Sequence, residues 1–159
     1  MRADRVFAYG AAAGLLGDLL FGDPRRGHPV AAFGRAAGAV ERVLWRDHRG
    51  WGALHTAVCA GGAVALGAAA SAAVRPSRIA SLGLTAAATW AVVGGTSLGR
   101  EARTIARFLD AGDVEGARGR LPHLCGRDPQ ALDPDGIARA VVESVAENTS
   151  DAVVGALVW

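Results

Sequence analysis

Hydrophobic positions in this chain fall into long runs separated by polar connections, and the runs set the expected elements. Val6 to Leu20 is apolar apart from Asp18. Gly52 to Val74 carries nothing charged after His55 until Arg75, about the 20 residues that a bilayer core demands. Ile79 to Leu98 is a second long uncharged run, joined to the first by the tight polar turn Arg75, Pro76, Ser77 and Arg78. These lengths predict membrane spans at about residues 6–21, 52–74 and 79–98, the last two forming a hairpin. Two buried helices of a soluble bundle are the alternative for the hairpin. A signal peptide is the alternative for the first run, although no small-residue cleavage site follows before Gly22. Asp18 lies near the end of its run, where a charge costs less than at the membrane centre. From Ala152 the chain is wholly apolar to Trp159, too short to cross, and reads as the start of another span in a truncated chain. Gly10 with Gly14, and Gly95 with Gly99, have the spacing of small-residue helix packing in lipid.

The polar connections have their own periodicity. Residues 22–51 open with GDPRRGHPV and continue into an amphipathic stretch, Ala31 to Trp45, expected to lie on a membrane surface with Trp45 and Trp51 at headgroup level. In residues 99–151, Arg100, Arg103 and Arg107 share one helical face and Ala102, Ile105 and Leu109 another, which predicts an amphipathic helix ending at Gly112. Asp113 is placed to cap a short helix through Arg120. Leu121 to Pro134 holds three prolines and reads as loop. Asp133 as cap and Pro134 in the first turn then start the helix that carries RAVVESVAENTSD, Arg139 to Asp151. The expected fold is all-α: a multi-pass integral membrane helical bundle with amphipathic cytoplasmic helices, one membrane domain over residues 1–159.

Composition agrees with an apolar chain: 51% of residues are hydrophobic and 20% charged, and all 17 basic residues are Arg. A complete absence of Lys beside abundant Ala and Gly reflects coding bias, so the arginines do not by themselves name a partner. A net charge of +2, with no basic array interleaved with aromatics, argues against a nucleic-acid surface. Cys59 and Cys125 lie in unlike surroundings, which argues against a disulfide framework and a zinc site, and His28, His48, His55 and His123 lack ligand spacing. Where the arginines fall is more informative. Six lie in residues 22–51 and seven in 99–151, against four on the opposite side of the predicted spans. The positive-inside rule makes the Arg-rich side cytoplasmic, giving a multi-pass protein of the cell membrane whose motif loops face the cytoplasm. The glycosylation triplet Asn148, Thr149 and Ser150 is on that side a chance match.

Three polar groups stand out as candidates for chemistry. As a helix, RAVVESVAENTSD stacks Arg139, Glu143, Glu147 and Asp151 on one stripe at i, i+4 spacing. Each like-charged neighbour pair costs roughly 0.2 to 0.5 kcal/mol, so a cation is expected beside them; a solvated face tempered by Arg139 is the alternative. In GDPRRGHPV, Gly22 and Gly27 allow tight turns and Pro24 and Pro29 stiffen them, displaying Asp23, Arg25, Arg26 and His28. An imidazole near a carboxylate can transfer protons near neutral pH; charges that only anchor a turn are the alternative. Arg127 and Asp128, in CGRDPQAL, form a third knot, suited to phosphate or carboxylate recognition or to a structural pair.

Taken in order, GDPxxGHPV after the first run, RDPxxL after an Arg-rich helix and ESxAENxSD entering the last run resemble the adenosylcobinamide-phosphate synthase family of cobalamin biosynthesis, the CobD/CbiB type. The resemblance covers nearly the whole chain and implies the amino-terminal half of a multi-pass membrane protein about twice as long. One departure stands near the end, where the family places a proline after the final aspartate and this chain has Gly155, Ala156 and Leu157. The resemblance implies a carbon–nitrogen ligase that uses ATP to condense a carboxylate of adenosylcobyric acid with aminopropanol or its phosphate. On that reading Glu143, Glu147 and Asp151 would hold Mg²⁺, and Arg25, Arg26, Arg127 and Asp128 would bind substrate. Asp23, His28 and Asn148 would act in catalysis. Partners would be the corrinoid, aminopropanol or its phosphate, the lipid bilayer, and a second copy or other enzymes of the pathway. There is no Walker-type loop to place ATP. A membrane sensing or signalling protein without ligase activity is the alternative, and a transporter subunit explains the spans but not the polar motifs.

Overall fold

A computed structural model describes residues 3–23, 27–155 and 157, and among these every regular element is helical. The chain divides into two compact units, residues 1–14 with 24–91 and residues 15–23 with 92–159.

The first unit is built from α1 (Ala3–Phe21), α2 (Pro29–Leu44), α3 (Arg49–Val74) and α4 (Arg78–Val93), the last residues of α1 and of α4 belonging to the second unit. His28 starts α2, its Nδ1 accepting from the Val30 N–H at 3.2 Å, with Pro29 in the first turn where a missing N–H is harmless. His48 starts α3 in the same way, through Gly50 N–H at 3.1 Å. Gly10 and Gly14 of α1 face α4. A Cβ at Gly10 would meet Thr85 Cβ at 2.7 Å, and one at Gly14 would meet the Ala86 carbonyl at 2.6 Å. The small-residue spacing at Gly10 and Gly14 is therefore a helix–helix contact, since only glycine admits this approach.

Two stretches are long and apolar enough to cross a membrane: Arg49–Val74, with mean hydropathy 1.8, and Arg78–Asp110, with 1.4. None of the apolar window in α3 is buried within the chain. At 1.5 Å per residue its 26 residues reach about 39 Å, more than a hydrocarbon core of about 30 Å.

The second stretch is not one helix. It breaks at Gly94, whose φ of 53° is left-handed, and resumes as α5 (Gly95–Asp110). The uncharged run expected over 79–98 is thus divided six residues before the next charge, Arg100, because backbone geometry rather than polarity ends α4. Gly95 and Gly99 also differ from the expected packing pair: the atoms nearest to a Cβ at Gly99 would be those of the Arg103 guanidinium, on its own helix.

The second unit closes a small core. Ile105 of α5, Ala117 of α6 (Val114–Arg120), Leu121, and Ile137 and Ala140 of α7 (Pro134–Asn148) are 0–1% exposed, with Phe108, Leu109, Leu124 and Val141 packed around them. The caps read from sequence are in place. Gly112 (φ 72°) ends α5; Asp113 accepts from Gly116 N–H at 2.8 Å; Asp133 accepts from Gly136 N–H at 2.7 Å. Caps of this kind contribute about 1 kcal/mol each. The expected loop over residues 121–134 contains two 3₁₀ turns, Leu121–His123 and Pro129–Ala131, the latter opened by Asp128 accepting from Gln130 N–H at 3.0 Å. α7 passes into a π-helical stretch over Thr149–Gly155.

Candidate functional site

The second unit gathers the polar groups with the most constrained surroundings, and the first of them is a residue that sequence reading treated as a tolerated charge. Asp18, near the end of α1, is 3% exposed. Its Oδ2 accepts from the Thr96 N–H at 2.9 Å, capping the first turn of α5 from a point 78 residues away. Its Oδ1 is buried without a hydrogen-bond partner among the described residues. A helix N-terminus has unsatisfied N–H groups, and one of them supplies the donor that this buried carboxylate oxygen needs. The available signal was a lone carboxylate in an apolar run, which is a functional pointer by default.

Asp23 reaches the same break. Its backbone N–H donates to Ser97 Oγ at 3.3 Å, and its carboxylate lies beside Gly94, where a Cβ would stand 3.3 Å from Oδ2. Gly22 (φ 64°) makes the turn between the two aspartates, with the Arg100 guanidinium and the Thr96 and Ser97 side chains around it. One short segment, Asp18 to Asp23, therefore brings two carboxylates to the α5 N-terminus, next to Thr96 and Ser97 hydroxyls. Arg25 and Arg26 lie outside the described residues. His28 stands at the start of α2 in the first unit, half-buried, with Nδ1 engaged by Val30 as above.

Farther along, Arg127 pairs with Glu143 across the loop, both side chains about half exposed (50% and 49%). This guanidinium places a cation beside one member of the acidic stripe, Glu143. Asp128 is spent on the Gln130 cap. Ser144 Oγ donates to the Leu124 carbonyl at 2.8 Å, fastening α7 to the loop, and Asn148 Nδ2 donates back to the Ser144 carbonyl at 2.8 Å. Glu147 and Asp151 are exposed. The four-residue stripe is interrupted before Asp151, because the π-helical stretch from Thr149 has a wider turn than the 3.6-residue repeat that aligned it. Among the described residues no three His, Cys, Asp or Glu side chains gather into a group that could hold a metal ion. Glu143, Glu147 and Asp151 are thus carried near one another in sequence but not assembled.

Fold and site together define an all-helical protein with two stretches able to cross a membrane and a polar helical unit built on a broken helix. The sequence comparisons narrow this class. The CobD/Cbib protein family model matches residues 11–159, and the chain belongs to that family. A protein described as "Cobalamin biosynthesis protein CobD" from Mycobacterium tuberculosis (strain CDC 1551 / Oshkosh) is 51% identical over 152 residues, covering 96% of this chain and 48% of the relative. Proteins with the same description from Chromobacterium violaceum and Pelobacter propionicus are 38% and 37% identical, covering 91% and 93% of this chain and 48% and 47% of the relatives. The chain spans about half the length of the curated relatives it matches. No solved structure matches it.

Proposed function

We propose that this chain serves cobalamin biosynthesis as part of a membrane-bound carbon–nitrogen ligase, one that joins a carboxylate of adenosylcobyric acid to aminopropanol or its phosphate with ATP. The observation that carries the reading is family membership over residues 11–159, among relatives described as cobalamin biosynthesis proteins. The apolar surface of α3, unburied within the chain, supports a multi-pass place in the cell membrane. The Arg-rich connections then face the cytoplasm, where ATP is available.

The chain's own residues divide the work as follows. His28 Nδ1 accepts a backbone N–H, so a neutral ring carries its proton on Nε2 and acts as a hydrogen-bond donor rather than a base. Asp23, beside the α5 N-terminus, is then the group to take the proton from an attacking amine. Arg127, half exposed and held by one carboxylate, exchanges Glu143 for a substrate phosphate or carboxylate, and Arg25 and Arg26 add to that recognition. Asn148, with its amide nitrogen tied to Ser144, presents its carbonyl oxygen to an amine N–H. Carboxylate oxygens suit the Mg²⁺ that would accompany ATP, but Glu143 is engaged by Arg127 and the α7 acids are not assembled, so they do not fit as its site and no step is drawn through the metal.

The test is complementation of a strain blocked between cobyric acid and cobinamide by the intact protein. Growth restored by the parent and lost with Asp23→Asn, at equal membrane levels, supports the ligase and the base. An intact protein that reaches the membrane, fails to restore growth and binds no corrinoid removes the reading.

A further inference from the structure

Outside that site, the elbow between α2 and α3 forms a half-open cavity of about 240 Å³ whose wall includes the exposed Glu41, Trp45, Arg46, Asp47 and Arg49, and His55. The next hollow, about 440 Å³, is lined only by apolar side chains of α2 and α3, among them Val40, Leu44 and Val58. A third, about 200 Å³, continues between the same helices past Phe33 to Leu66. Leu44 borders the first two hollows, and Val40 and Val58 border the last two, so a polar cup and two apolar hollows lie in succession along the same pair of helices. We propose that this elbow binds a zwitterionic phospholipid with a primary ammonium group, its headgroup in the cup and an acyl chain along the trough of apolar hollows.

The charges choose the headgroup. Two guanidiniums, Arg46 and Arg49, and two carboxylates, Glu41 and Asp47, line the cup, and among the described residues no ion pair joins any two of them. A lining with both signs unpaired and no net charge complements a phosphate and an ammonium on one small molecule. Arg46 is preset for the phosphate: its Nη1 donates to the Trp45 carbonyl at 2.6 Å and its guanidinium sits 5.7 Å from the centre of the Trp51 ring. That placement also takes a face of Trp51 away from a quaternary ammonium, which needs an aromatic cage, whereas the carboxylates accept N–H bonds that only a primary ammonium offers. His55 stiffens the floor, its Nε2–H donating to the Ala37 carbonyl of α2 at 3.1 Å.

The proposal rests on α3 crossing a bilayer, and the experiment separates the two. The intact protein in detergent is offered equimolar phosphatidylethanolamine, phosphatidylcholine and phosphatidylglycerol of identical acyl chains, and adducts are counted by native mass spectrometry. Phosphatidylethanolamine should exceed each of the others by about fivefold, the factor expected of exposed ion pairs. Arg46→Gln and Glu41→Gln should each abolish that preference with helix content unchanged by circular dichroism. Equal adducts from the three lipids, or a preference untouched by both variants, overturns the headgroup assignment while leaving membrane insertion intact. Competition by soluble O-phosphoethanolamine at the same concentration as the lipid overturns the trough, since the chain would then add nothing.

Discussion

The two units differ in how they dispose of apolar surface. The second unit is polar along much of its sequence yet closes a core in which Ile105, Leu121 and Ile137 are fully buried. The first unit has the longer apolar helices and leaves Val64 and Leu66 of α3 more than 70% exposed. The difference teaches that hydrophobic content and a closed core are separate matters. A helix with apolar residues on one stripe buries them against neighbours, whereas a helix apolar all round needs an apolar surrounding, in this reading lipid.

Core truncation should separate the units most. Ile137→Ala should cost about 2–5 kcal/mol in thermal unfolding of the intact protein in detergent, and Leu66→Ala no more than about 0.5 kcal/mol. Equal losses would show that α3 is packed by protein, and the contrast would fail. Next comes the α1–α4 contact, where the first unit is tight: Gly14→Ala should cost about 1–3 kcal/mol because the new methyl meets the Ala86 carbonyl, while Gly62→Ala, in open space, should be neutral or gain up to about 1 kcal/mol. Stability that moves alike at both positions would remove the helix contact. Asp18→Ala should cost about 0.5–2 kcal/mol through the lost cap on α5, and Asp18→Asn less, since an amide oxygen still accepts the Thr96 N–H and the buried charge is gone. An asparagine as damaging as the alanine would mean that the charge, not the hydrogen bond, holds the break. Smallest is the Arg127–Glu143 pair, whose coupling in a double-mutant cycle should not exceed about 1 kcal/mol because both side chains are half in solvent.

Much of the second unit was legible because its signals are local. Asp113 and Asp133 each cap an N–H three residues on, Gly112 turns where only glycine is at ease, and the stripe containing Ile105 and Leu109 faces the core. The motif order GDPRRGHPV, CGRDPQAL and ESVAENTSD was sufficient for the family. The site was legible only in its ingredients. Arg127 and Glu143 were read as a phosphate ligand and a metal ligand, and the fold pairs them with each other. Asp18 was read as a charge close enough to a membrane edge to be tolerated, and the fold buries it as a cap.

By itself, then, the sequence determined the helices, most of their ends and the membership of the chain in its family, since periodicity and caps depend on neighbours within about four residues. Tertiary structure decided where the long uncharged run over 79–98 breaks and what Asp18 and Glu143 touch. Those outcomes join residues up to 78 positions apart. No repeat or local rule specifies which N–H a buried carboxylate will find; only the packing of α1 beside the start of α5 does.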